Sequence, residues 1–289
     1  MFWFFLALGG AFLDSIYYFL IKKSSSSNLR FFVLGLFYLF SAIIFVYLYF
    51  TSSSIEINKN FYIAFGIAVV LNILITLLYA QALKSEEMSL VMPVLSFTPV
   101  FLIITSYFIL GESISILGFL GISLVCVGSY VLNFSSTDKS ILQTIKRMLS
   151  NKAIFYMFLM AILASFSWNF IKLSINNSSV IFHNLFMNLS LGITFLILYL
   201  KEKKSLEKVD YRYLLSISIV LALVNAISSL LTTTAITLVA VSYVVSINRL
   251  SIIFAVLLGM LFLKESNSLQ RLLGALIMVA GAAIILVFS

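Results

Sequence analysis

Apolar residues do not alternate along this chain, nor do they keep to one helical face. They come in unbroken runs near 2–21, 31–50, 61–83, 89–110, 115–134, 153–175, 180–200, 212–234, 239–263 and 269–288. Each is close to the roughly 20 residues that a helix needs to cross a bilayer core. The strands of a membrane barrel would be shorter and would alternate in polarity. The pattern therefore predicts ten transmembrane helices. Polar stretches such as Ser24 to Asn28 and Thr51 to Ser54 read as turns between them. The first run has no basic leader and no small-residue cleavage site, so it reads as a retained helix and not a signal peptide.

The longest polar connection, 135–152, carries Asp138, Lys139, Lys146, Arg147 and Lys152 and divides the chain into halves at 1–134 and 153–289. The halves read as a repeat. Residues 82–133 align without a gap on 235–286, with 11 identical positions. Leu110, Glu112, Ser113, Ser115, Leu120, Gly121 and Gly128 meet Leu263, Glu265, Ser266, Ser268, Leu273, Gly274 and Gly281, and the same shift pairs Asn72 with Asn225. An odd number of helices per half forces the second half to lie upside down against the first. Inverted repeats with a site between them are a recurrent transporter architecture.

Composition sharpens the solvent. The chain is 62% hydrophobic and only 10% charged, against about 25% charged for a soluble domain. The matching surroundings are lipid. One cysteine (Cys126) and one histidine (His183) exclude an internal disulfide and a Cys/His metal cluster, and no cofactor is expected. The net charge of +8 belongs to loop lysines and arginines facing anionic lipid, with no reason to invoke nucleic acid. Fifteen of these, from Lys22 and Lys23 to Lys264 and Arg271, fall on one side of a ten-helix topology. The positive-inside rule puts that side in the cytoplasm and both termini outside, in a multi-pass cell (inner or plasma) membrane protein.

Charges inside the apolar runs are the candidate chemistry. Asp14 lies about 4 Å beyond the midpoint of the first run, where a charge costs at least about 2.5–3.5 kcal/mol. It reads as a counter-ion for a substrate ammonium, as a proton-coupling carboxylate, or as a structural hydrogen-bonding group. Arg249, near the middle of the ninth run, offers a planar fork matched to a carboxylate. It either grips an anionic substrate group or pairs with Asp14. Polar stripes at helical spacing accompany them: Asn72, Thr76 and Tyr79 in the third run, Asn225, Ser229 and Thr232 in the eighth, Ser242, Ser246 and Arg249 in the ninth, and Ser89, Pro93 and Ser96 in the fourth. They line a cavity or glue helices together. Tyr17 and Tyr18 beside Asp14, and Trp168 with Asn169 in the sixth run, could form an aromatic wall for an organic cation or simply pack.

The paired Leu-x-Glu-Ser blocks at 110–113 and 263–266, the following Leu-Gly and Gly, Pro93 and Pro99 in the fourth run, and Lys22 and Lys172 closing the first run of each half make the chain resemble the drug/metabolite transporter superfamily, in particular its ten-helix EamA-type members. Asp14, where such proteins often carry an aromatic, and Arg249, where the repeat partner is Ser96, depart from the pattern. The resemblance implies an all-α membrane fold, two inverted five-helix repeats around a central cavity lined by helices 1, 3, 4, 6, 8 and 9. It implies transport of amino acids, other metabolites, drugs or nucleotide sugars, often outward. It also implies a monomer, or a homodimer built on helices 5 and 10. Together with Asp14 and Arg249 it points to a secondary transporter of a small amino-containing metabolite, above all an amino acid, working by alternating access. An organic-cation or choline-like carrier is the alternative. An intramembrane enzyme would need a metal cluster, a Gly-x-Ser-x-Gly element or a histidine-rich constellation, and the sequence holds none of them.

Overall fold

In a computed structural model, residues 1–24, 30–52, 56–85, 94–133, 152–201, 211–255, 257 and 269–289 are described. They form ten helices and no strand: α1 Phe2–Ser24, α2 Arg30–Thr51, α3 Asn60–Ser85, α4 Thr98–Leu110, α5 Ile116–Asn133, α6 Lys152–Asn176, α7 Val180–Lys201, α8 Tyr211–Leu238, α9 Val241–Asn248 and α10 Leu269–Phe288. Five described stretches are long and apolar enough to cross a membrane: Phe31–Thr51, Asn60–Tyr79, Lys152–Asn176, Val180–Lys201 and Arg212–Leu238. The others are shorter apolar helices over the described residues. The stretch read as a linker, 135–152, lies outside the described residues except for Lys152, as do Ser89, Pro93 and the second Leu-x-Glu-Ser block.

Packing repeats the internal symmetry. Exchanging halves turns α1 against α8 into α6 against α3, α2 against α8 into α7 against α3, and α4 against α6 into α9 against α1. All of these contacts exist. The pairs α2–α7, α4–α9 and α5–α10 map onto themselves and also exist. Each half thus packs its first and third helices against the other half. Direction shows the inversion. A Cβ on Gly121 would meet Gly281 O at 2.9 Å, and one on Gly128 would meet Gly274 O at 2.7 Å, so α5 and α10 run antiparallel. Gly35 against Leu196 and Gly192 against Leu39 show the same for α2 and α7. Equivalent helices can run antiparallel only if the axis relating them lies across the helices, in the membrane plane. The glycines of α5 and α10 are therefore spent within the chain, where backbones close to van der Waals contact across small residues.

Every second connection meets at one end of the bundle. Asn58 N–H donates to Asn177 O at 2.9 Å, tying the α2–α3 and α6–α7 connections. At the same end Gly111 takes φ +69°, a left-handed cap that only glycine adopts freely, and ends α4. The chain then turns so that Glu112 faces the second half. Its Oε1 accepts from Lys172 Nζ at 2.7 Å and its Oε2 from Val241 N–H at 3.0 Å, while Lys172 Nζ also donates to Val239 O at 2.9 Å. The clasp joins the end of α4 to the end of α6 and the start of α9, and both side chains are 13% exposed.

The fourth and ninth runs, expected as single spans over 89–110 and 239–263, are each interrupted among the described residues. Helix gives way to turns at 96–97 and at 249–250, and helix resumes at 98 and 251. The two sites are the same position under the repeat shift of 153. Phe97 (φ −77°, ψ −13°) in the first turn and Arg249 (φ −66°, ψ −15°) in the second both keep right-handed dihedrals, so the chain direction is kept through each. The hydrogen bonds tighten to three-residue spacing, with Phe97 N–H to Val94 O at 3.2 Å and Leu250 N–H to Ile247 O at 2.9 Å. Pro99, which has no N–H, accounts for the first interruption. The second has neither proline nor glycine.

Candidate functional site

The second interruption delivers two side chains toward α1. Asp14 stands in the fourth turn of α1, half-buried, where α1 crosses α8. Ser228 Oγ of α8 donates to Asp14 Oδ1 at 2.5 Å, and Asn248 Nδ2 of α9 donates to Asp14 Oδ2 at 2.9 Å. Arg249, the next residue, adds charge attraction to the same carboxylate and also acts on Cys126 of α5. Helix α9, which leads into Arg249, packs against both α1 and α5. A carboxylate of the first half is held by donors of the second, at the midspan crossing of the two repeats.

The opposite crossing is built alike. Asn72 Nδ2 of α3 donates to Ser167 Oγ of α6 at 2.8 Å, and under the repeat shift Ser167 is the counterpart of Asp14. Asn169 Nδ2 donates to Thr105 Oγ1 at 2.9 Å, joining α6 to α4. This crossing is neutral, so the charge asymmetry of the two halves resides in Asp14 and Arg249.

Other candidates are placed elsewhere. Asn225 turns toward α2 and α7, donating to Ser41 Oγ at 3.2 Å and Asn188 Oδ1 at 3.1 Å. That network continues through Asn188 to Asn184 O at 2.7 Å and from Asn184 to Thr233 Oγ1 at 2.8 Å. Thr76, Ser229 and Ser246 donate to carbonyls of their own helices, at Asn72 O (2.8 Å), Ala226 O (3.1 Å) and Ser242 O (2.6 Å). Tyr79 packs with Ala82, Val94, Leu95 and Met157 in a satellite cluster, and Trp168 packs against the main core. Tyr17 meets the ring of Phe37 edge-on, with centroids 5.7 Å apart. The side chain of Tyr18 lies outside the described residues. His183 is buried at the α6–α7 corner, with Ser174 Oγ 2.8 Å from its Nδ1 and the Phe65 ring edge-on. The residues that join Asp14 without having been singled out are Ser228 and Asn248. Their sequence signals are the Ser228/Thr232 spacing of one turn and the adjacency of Asn248 to Arg249.

The sequence profile of the EamA-like transporter family matches residues 1–134 and 151–287. The chain belongs to the EamA-like transporter family. It is a multi-pass membrane transporter of the drug/metabolite transporter superfamily. One solved crystal structure superposes on 99% of this chain and 97% of its own, with a TM-score of 0.78 at 12% sequence identity, a likeness of fold. No curated protein matches the sequence. The family assignment suits a site of this kind, since polar groups at midspan are expensive unless they face a partner or a passing solute.

Proposed function

We propose that this family member is a secondary active transporter of a small amino-containing metabolite, with amino acids as the substrate class and export as the direction. The observation that carries the proposal is the Asp14 carboxylate, held at the crossing of α1 with α8 and α9 by Ser228 and Asn248, with Arg249 next in the chain after Asn248. A zwitterion presents one ammonium and one carboxylate a few ångströms apart. Asp14 matches the first and the Arg249 fork the second. The paired interruptions at 96–97 and 249–250 support the placement, because broken spans at corresponding positions of two inverted halves point to a midplane site.

Transport would proceed by rocking the halves about that site, with the Glu112–Lys172 clasp closing one end of the path. The sequence carries no nucleotide-binding loop, so a gradient supplies the driving force. Asp14 is the group able to carry a proton. The bias of lysine and arginine toward the opposite connections supports a clasped end, and both termini, on the outer side of the cell membrane. A cation carrier for choline-like solutes is the second reading, favoured by the same carboxylate if Arg249 serves structure alone.

The test is uptake into proteoliposomes of labelled amino acids, choline and nucleosides, with and without an imposed pH gradient, alongside Asp14→Asn and Arg249→Gln. Saturable amino-acid flux lost in both variants supports the zwitterion site. Choline flux that depends on Asp14 alone, with no amino-acid flux, rejects it in favour of the cation carrier. If Asp14→Asn keeps its response to the pH gradient, the carboxylate does not carry the proton.

A further inference from the structure

Two buried oxygens on α8 and α9, within about a turn of Asp14 along α1, have no hydrogen-bond partner: Thr232 Oγ1 and Asn248 Oδ1. Thr232 is 3% exposed. Its neighbours Thr233 and Thr234 donate to carbonyls one turn back, at Ser229 O (2.5 Å) and Leu230 O (2.6 Å). Thr232 makes no such bond, so its hydroxyl remains available on the face of α8 that meets α1. Asn248 uses its Nδ2 on Asp14, which leaves Oδ1 as an unfilled acceptor.

The two oxygens converge on one spot of α1. A Cβ on Gly10, one turn before Asp14, would run into Thr232 Oγ1 and lie 3.6 Å from both Asn248 Oδ1 and Ser228 O. The absence of a side chain at Gly10 is what lets α8 and α9 bring these atoms so close. Buried polar atoms without partners are costly and are rarely kept without a reason. Asn248 Oδ1 can only accept, Thr232 Oγ1 can accept as well as donate, and both hydrogen bonds to the carboxylate come from neutral groups. A guest that fills both oxygens and also meets the carboxylate needs several N–H donors, and a positive charge on it strengthens each of those bonds. A primary ammonium brings one charge and three donors with no acceptor.

We propose that Thr232 and Asn248 complete, with Asp14, a three-acceptor seat for a primary ammonium group, so that the site selects primary amines over their N-methylated forms. The proposal rests on the reading of Asp14 as the seat of a substrate amine and narrows it. A quaternary ammonium carries the charge but no N–H. It would leave both oxygens unpaired, and its methyl groups would hold the charge away from the carboxylate. Selectivity against it needs no added steric barrier, because a site built to hydrogen-bond a group rejects the analogue that lacks the donors.

The experiment uses the full chain in proteoliposomes. Uptake of a labelled mixture of the standard amino acids is competed by an unlabelled copy of the mixture, and by that copy after exhaustive N-methylation. The unmodified competitor is expected to be about tenfold or more stronger, the order of one hydrogen bond to a charged group. Thr232→Val, which keeps the shape and removes the hydroxyl, is expected to weaken the unmodified competitor by about tenfold and leave the methylated one unchanged. Thr232→Ser is expected to restore the preference. Equal competition by both mixtures in the wild-type protein overturns the seat, and that arm decides the matter even if the valine variant fails to fold. An unchanged preference in a folded Thr232→Val protein overturns it equally. If labelled amino acids are not taken up at all, the amine reading beneath the proposal fails and the seat fails with it.

Discussion

At the scale of single residues, Asp14 and Gly10 carry opposite demands. Asp14 needs donors from the other half, and receives them from Ser228 and Asn248. Gly10 must stay without a side chain for α8 to come so near. Asn248→Leu keeps approximate volume but removes a donor from a half-buried carboxylate, and should lower amino-acid affinity by about tenfold. Saturation kinetics of uptake would show this as a raised KM. An unchanged KM would remove Asn248 from the site. Asp14 and Arg249 were legible from sequence because a charge inside an apolar run is conspicuous at any register. Ser228 and Asn248 were not, because serine and asparagine are frequent in this chain and hydropathy records neither their direction nor their partners. The stripe through Asn225, Ser229 and Thr232 took a defensible helical face, yet Asn225 faces α2 and α7 and the Ser229 hydroxyl stays on its own helix.

At the scale of elements, the seams between helices separate into close-packed and polar ones. The α5–α10 seam is glycine against backbone. A Cβ on Gly128 would sit 2.7 Å from Gly274 O and from Met278, and backbone on the far side has nowhere to go. Gly128→Leu should destabilise the protein by about 1–3 kcal/mol through overpacking. Gly66→Leu, which meets nothing within 4 Å, should be silent. Thermal unfolding of the two variants in detergent makes the comparison, and equal melting temperatures would contradict the seam. The Glu112–Lys172 clasp is polar and mostly sheltered. Removing one partner from such a pair leaves a poorly solvated charge, so Glu112→Gln should cost on the order of 3 kcal/mol. A charge-swapped Glu112→Lys, Lys172→Glu pair should recover part of that loss. Recovery in the same melting assay supports the clasp, while additive losses would show that the two residues act separately.

Helix count and approximate ends could be read from the apolar runs, since lipid imposes a length that hydropathy measures directly. The interruptions at 96–97 and 249–250 could not, since they change backbone hydrogen bonding without changing apolarity, and only Pro99 hints at one of them.

At the scale of the whole molecule, the two halves share their main cross-half contacts and are unequal in charge. The α3–α6 crossing is neutral, whereas the α1–α8 crossing carries Asp14. A symmetric scaffold with an asymmetric site can present one solute to either face by exchanging the conformations of its halves. The repeat was visible in the 11 matched positions of the aligned segments, and the inversion followed from the odd helix count. Which atoms meet at the crossing depends on interhelical register, which a single sequence does not record. The orientation adds a further expectation. A cysteine placed at residue 2 and one at residue 289, each in a Cys126→Ala background, should both react with a membrane-impermeant thiol reagent from the outer face of intact cells. Labelling of either only after permeabilisation would contradict the orientation.

Passage of substrate at the Asp14 crossing can be followed by exchange across the membrane. Amino-acid counterflow tests it most directly, with proteoliposomes loaded with unlabelled amino acids and exposed to a labelled trace. Label is expected to accumulate transiently with the wild-type protein and not with a folded Asp14→Asn variant. Counterflow by that variant at the wild-type rate would contradict it.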